Sequence, residues 1–164
     1  MKLYKLTDEI GKTKGTQWAE GKILSLPKKE KPQLCTSDVI HAYKNINLAF
    51  MINPIHGNFK NPLLWEAEGE VCVEDWGKVG CFELTTTQKL PNPQWFGSKK
   101  ESYVRVFFAI LCAESVLQYF ETRYPKDDRP RKAIVAAKKY LKTKSADAAA
   151  NAAYAAADAA NATY

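Results

Sequence analysis

Two histidines and four cysteines are scattered through this chain, and none of them stands at metal-ligand spacing. Cys35, Cys72, Cys81 and Cys112 form no C-x-x-C pair, and His41 and His56 add none, which removes the sequence basis for a zinc site. Reduced, mostly buried thiols are the plainer reading. G-x-x-x-x-G-K, G-x-G-x-x-G and a G-x-S-x-G elbow are all missing, so phosphate-loop, dinucleotide-fold and hydrolase readings have no support. Met1 to Ile10 carries no apolar core of a secretory signal. The longest apolar stretch, Val104 to Ala113, is interrupted by Arg105 and is too short to span a membrane.

What is present suffices for a folded domain. Hydrophobic residues make up 46% and aromatics 12%, which argues against global disorder. The 164 residues allow one domain, or one with an appendage. The net charge of +6 is unevenly placed: Lys99 to Lys144 holds twelve Lys and Arg against five acids. Such a field attracts an acidic protein, or nucleic acid weakly and without sequence preference, whereas a solvated helix face explains the same charges without any partner.

The segment from Cys112 to Leu141 organises the rest. Tyr103 to Tyr124 is apolar on nearly every face, with Val104, Val106, Phe107, Phe108, Ile110, Leu111, Val116, Leu117 and Phe120, and predicts a largely buried helix. Pro125 ends it, Asp127 or Asp128 caps a second helix, and Pro130 fits that helix's first turn. Ala133, Ile134, Ala137 and Leu141 form the second helix's buried stripe. Glu114 and Glu121 lie seven residues apart on one face, and Arg129 or Arg131 beyond the turn suits them as structural partners.

Upstream, Leu3 to Leu6 predicts an opening strand and Lys22 to Leu26 a second. Asp8 to Gly21 between them is a turn-filled connection anchored by Trp18. Thr36 or Ser37 caps an expected short helix through about Asn45, with Val39, Ile40, Ala42 and Tyr43 on its apolar face. Leu48 to Ile52 is a short apolar run. Asn53-Pro54, Gly57-Asn58 and Asn61-Pro62 then mark loop. Leu63 to Val73 alternates as a half-exposed strand, Asp75 to Lys78 turns, and Val79 to Thr86 returns. A two-residue turn at Trp76-Gly77 sets Cys72 opposite Cys81. Leu90 to Pro93 is a linker, with Trp95 and Phe96 packing it down. Beyond Ser145 the chain is nearly all alanine, with Asp147, Asn151, Tyr154, Asp158 and Asn161 as a polar stripe. A packing helix, within the chain or between subunits of a homo-oligomer, and a disordered low-complexity tail are the two readings of it.

The expected fold is α+β: a small antiparallel sheet packed with a C-terminal helical hairpin and an Ala-rich helix. The expected division is 1–95 as a β-rich domain with one short helix, 96–144 as the hairpin, and 145–164 as the tail.

The order Cys-Ala-Glu (112–114), Phe120-Glu121, Tyr124-Pro125, Asp127 to Arg131, then Ala133-Ile134, resembles the helical module of the "putative immunity protein" family of bacterial and phage genomes. Leu34 to Leu90 is similar to uncharacterised phage-borne domains with a Cys, Ala-Tyr, Trp-Glu-x-Glu-Gly layout. These resemblances imply a viral origin and action in the host cytosol, without implying a mechanism. No catalytic, cofactor or metal motif is complete, whereas a basic hairpin and a smooth alanine face are able to dock. The expected function is therefore that of a phage-encoded accessory protein that binds a macromolecule, an inhibitor of a host immune system among the readings. Its partner would be a host or phage protein with an acidic surface, met by Lys126, Arg129, Arg131, Lys132, Lys138, Lys139 and Lys142. No membrane, metal or cofactor is expected.

The alternative is a nucleotide-binding protein or enzyme centred on the N-terminal part. His41, Tyr43, Asn53, His56, Trp65 and Glu66 flank the expected helix and the strand after it, where a histidine and a carboxylate near aromatic walls can hold a nucleotide. The chain order there resembles ADP-ribosyltransferase-like domains, although no diagnostic triplet is complete. Ordinary polar contacts at both histidines are the plain counterpart.

Overall fold

A computed structural model describes residues 1–144, and the Ala-rich segment 145–164 with its polar stripe lies outside the described residues. The chain divides into two units, one from Met1 to Phe96 and one beginning at Gly97. The architecture is α+β, with an antiparallel sheet in the first unit and helices in the second.

The sheet is built from β1 (Lys2–Thr7), β4 (Ile23–Ser25), β5 (Ile40–Ala42), β6 (Leu63–Glu74) and β7 (Val79–Leu90), in the order β1-β6-β7-β4 with β5 also on β7. A hairpin of β2 (Lys12–Thr13) and β3 (Thr16–Gln17) stands beside it. Its two turn residues, Lys14 and Gly15, both have positive φ, which matches the turn to the twist of the strands. Tyr4 and Tyr43 exchange backbone N–H···O bonds of 2.8 Å, so the chain just after β5 is bound back to β1. The strands thereby enclose a core of Leu3, Trp18, Ile40, Ala42, Ala67, Val79, Cys81 and Leu84. By alternation along β1, Lys5 shares a face with Leu3 and Thr7 and is buried with them.

The helix of this region comes later than expected. The helix expected over 36–45 is a turn followed by β5, and the apolar run Leu48 to Ile52, with the start of the loop expected from Asn53, lies in helix α1 (Ile46–His56). Thr36 Oγ1 does accept an N–H two residues on, from Asp38 at 3.1 Å, but the bond closes a local turn rather than capping a helix. The cap that works is Asn45, whose Oδ1 accepts from Leu48 N at 3.0 Å. Pro54 lies within the last turn of α1, where only one intrahelical bond is lost, while Ala49, Phe50 and Ile52 are buried. Trp95 and Phe96 pack edge-on against Phe50, closing this second core.

The β6–β7 turn forms as expected, with Asp75 N donating to Lys78 O at 3.0 Å. The register then departs from expectation. Cys81 lies opposite Val71, and Cys72 is the extra residue of a bulge, its thiol directed at Gly80 O at 3.3 Å. Both are free thiols.

In the second unit, α2 (Glu101–Arg123) and α3 (Arg129–Thr143) form the expected hairpin, with Pro125 following α2 and Pro130 in the first turn of α3. Asp128 occupies the cap position without a side-chain bond, while Asp127 Oδ1 accepts from Arg129 N at 3.1 Å. The expectation of a largely buried α2 is not met. Among its described residues Ile110 is buried, whereas Phe107, Leu111, Val116 and Tyr119 are exposed. Hydrophobicity on every face reports composition; burial needs a neighbour on every face, and α3 supplies one side. By length and composition α2 is long and apolar enough to cross a membrane, which its central apolar run is not.

Candidate functional site

Three of the six N-terminal candidates meet around one cavity of about 270 Å³. His41 comes from the middle of β5, where Ile40 and Ala42 point into the core and send its side chain the other way. Tyr43 follows β5, and His56 ends α1, with its ring roughly parallel to that of Tyr43 and 6.5 Å away. Lys5, Lys14, Cys35, Phe59 and Lys78 complete much of the wall.

The other three candidates are engaged elsewhere. Asn53 is buried and holds the loop after α1, donating to Phe59 O at 2.8 Å and accepting from Phe59 N at 3.1 Å. Trp65 is buried in the sheet and donates to Thr7 Oγ1 at 3.1 Å. Glu66 pairs with Lys2 at 2.5 Å. The carboxylate expected beside the histidines therefore does not line this cavity. Asp75 is the acid close enough to act on His56 and Lys78, and its Oδ1 already accepts from Gly77 N and Lys78 N at 2.7 and 2.8 Å.

The cavity is thus basic. Lys5 and Lys78 are 4% and 7% exposed, and among the described residues neither has a carboxylate within ion-pair distance. Lys5 Nζ donates to His41 O at 2.8 Å and lies 5.1 Å from the centre of the Trp18 ring. Lys78 Nζ sits 2.8 Å from Cys35 Sγ. The Cys35 N–H donates to His41 Nε2 at 3.0 Å, which places the proton of a neutral imidazole on Nδ1. Cys35 itself has φ +64°, in the left-handed region, and is exposed. Burial pushes the Lys5 ammonium down to about 8, helped by the nearby Lys14 charge. Burial likewise lowers His41 to about 4, with Lys5, Lys78 and Lys14 adding repulsion. His56 is lowered by burial and Lys78, and raised by Asp75.

The lysines were invisible in sequence reasoning because they are distant in the chain. One signal was available: Lys14-Gly15 and Gly77-Lys78 are turn sequences, and turns place lysines where loops converge. Among the described residues no group of three His, Cys, Asp or Glu side chains could hold a metal.

On the hairpin, the seven basic candidates divide. Arg131 is bidentate to Glu121 at 2.7 and 2.6 Å, and Arg129 is bidentate to Asp127 at 2.9 and 2.6 Å. Lys138 pairs with Glu114 at 2.6 Å, and Lys132 with Asp128 at 2.9 Å. Glu121 thus takes one of the two expected arginines, whereas Glu114 takes Lys138. Lys126, Lys139 and Lys142 are exposed, with no ion pair among the described residues. On α3, Lys132, Val135, Lys139 and Lys142 fall at helical spacing on one exposed row, turned away from the partly buried Ala133, Ala137 and Leu141.

No curated protein and no solved structure matches the chain. A family model does match residues 98–163, that of the "Imm-5 like putative immunity protein". The helical unit is therefore similar to that immunity family, and the basic cavity of the first unit lies outside the matched residues.

Proposed function

We propose that this is an immunity-type accessory protein that acts by binding an acidic protein through its helical unit. The observation that carries the reading is the α3 row of Lys132, Val135, Lys139 and Lys142, three cations around an apolar side chain that is 61% exposed. An apolar centre inside a charged border is the usual anatomy of a protein-binding patch. The surrounding positive charge raises the association rate for an acidic partner. The match of residues 98–163 to an immunity family supports the same unit as the working part. The resemblance of Leu34 to Leu90 to phage-borne domains supports a phage origin, action in the bacterial cytosol, and a target among host defence components.

Capture from bacterial lysate on the immobilised chain, followed by identification and affinity measurement on the purified partner, tests this. The reading expects an acidic protein released by Lys139→Glu with Lys142→Glu. Retention of the same protein by that double variant, at unchanged affinity, would remove the α3 row from the function. Nucleic acid is expected to bind weakly and to be lost by about 200 mM salt, because contacts to phosphate alone are salt-sensitive.

A further inference from the structure

We infer that the cavity of the first unit is a binding site for a small phosphate monoester, whose phosphate meets Lys14 and Lys78 and whose ring body lies against Tyr43 and Phe59. The argument begins with charge. Two lysines nine-tenths buried have no carboxylate within ion-pair distance among the described residues, and only Lys78 has one, Asp75, near enough to act through space. Burying an ammonium is costly unless a counter-charge compensates it. Each ammonium has three donors. Lys5 spends one on His41 O and Lys78 one on the weakly accepting Cys35 sulfur. The exposed Lys14 extends this group from the tip of the β2–β3 hairpin. Donors are in excess, and the missing component is an anion.

Shape decides what kind. The lining also includes the apolar or aromatic Tyr43, Ile55 and Phe59, so an anion with a flat body fills the space better than a bare ion. At about 270 Å³ the cavity lies just below the ordinary range for drug-sized ligands, about 300–1,000 Å³. That fits one ring system and one phosphate, and not a dinucleotide. Burial is the main cause of the depressed protonation of Lys5 and His41, and the neighbouring lysines add to it. A bound phosphate would raise both.

Calorimetric titration of the full chain with the four ribonucleoside 5′-monophosphates, inorganic phosphate, adenosine and benzoate tests the site. At least one monophosphate is expected to bind, inorganic phosphate more weakly, and adenosine and benzoate not measurably. Lys14→Ala, on an exposed turn that the core does not depend on, is expected to weaken binding at least tenfold, and Lys78→Met more. Cys35 supplies a second readout: iodoacetamide should alkylate it more slowly when the monophosphate is bound. Absence of monophosphate and phosphate binding at millimolar concentration would overturn the inference. So would adenosine or benzoate binding as tightly as the best monophosphate, unchanged affinity in Lys14→Ala, or unprotected Cys35. The hairpin reading is untouched by any of these outcomes, because it rests on residues of the other unit.

Discussion

Lys5 and His41 make the stability of the first unit rise with pH, each in its own window. The unfolded lysine titrates near 10.5 and the folded one near 8, so between these values the unfolded chain holds more protons. Stability should therefore climb as pH rises from about 8 to 10.5, by something on the order of 3 kcal/mol for a shift of this size. Lys5→Met removes the buried charge and keeps the length. Its melting temperature at neutral pH should exceed that of the parent, and its alkaline rise should vanish; a lower melting temperature would show that the charge is compensated. His41, neutral in the fold down to about 4, adds stability that is complete above 6.5 and disappears as pH falls through 4. Proton NMR should place its titration well below that of an ordinary histidine. On the hairpin, Glu121→Gln breaks a bidentate pair with Arg131, but the two side chains are 31% and 59% exposed. The loss should stay within about 1 kcal/mol, as for other exposed pairs. The burial that would have made this residue a structural pin is not there.

Among the elements, α1 and α2 reverse the weights that their sequences suggest. The apolar length of α2 predicts the stability centre, yet Leu117 is only half-buried, while Phe50 in the shorter α1 is fully enclosed. Phe50→Ala should cost about 3–5 kcal/mol through lost burial and the cavity left behind. Leu117→Ala should cost about 1 kcal/mol, in line with partial exposure. Paired denaturant melts separate the two, and equal losses would mean that α2 is covered on a face that is open here. Asn45→Ala should cost about 1 kcal/mol by removing the cap of α1. The strand pair and the bounds of α2 were legible, whereas α1 and the exposure of α2 were not. Alternation from Trp65 to Val73 and the Asp75–Lys78 turn predict the β6–β7 hairpin, because side-chain period and turn chemistry are local. The bulge at Cys72 was not legible, since an extra residue is accommodated only by the partner strand across from it.

At the scale of the molecule, burial is concentrated in the first unit. The described residues of the second contribute Ile110 and Ile134 to the buried set, against two core clusters in the first, one among the strands and one under α1. Hydrogen exchange should accordingly be slowest in β1, β6 and β7 and faster throughout α2. Equal protection of α2 and β6 would contradict that ordering. Local chemistry was enough to determine several things from the chain alone: the α+β class, the opening strand, the β6–β7 hairpin, the Pro125 stop and the α2–α3 pair. Each depends on periodicity or on residues within a few positions of one another. Only the tertiary structure decided that residues 40–42 pair with β7 instead of coiling, that Pro54 sits inside a helix, and that Glu66 turns to Lys2 and away from the histidines. It also decided that Lys5, Lys14 and Lys78 converge beside Cys35 and His41. That convergence joins residues up to seventy-three positions apart, and no local preference encodes it, because their meeting point is set by strand order and register.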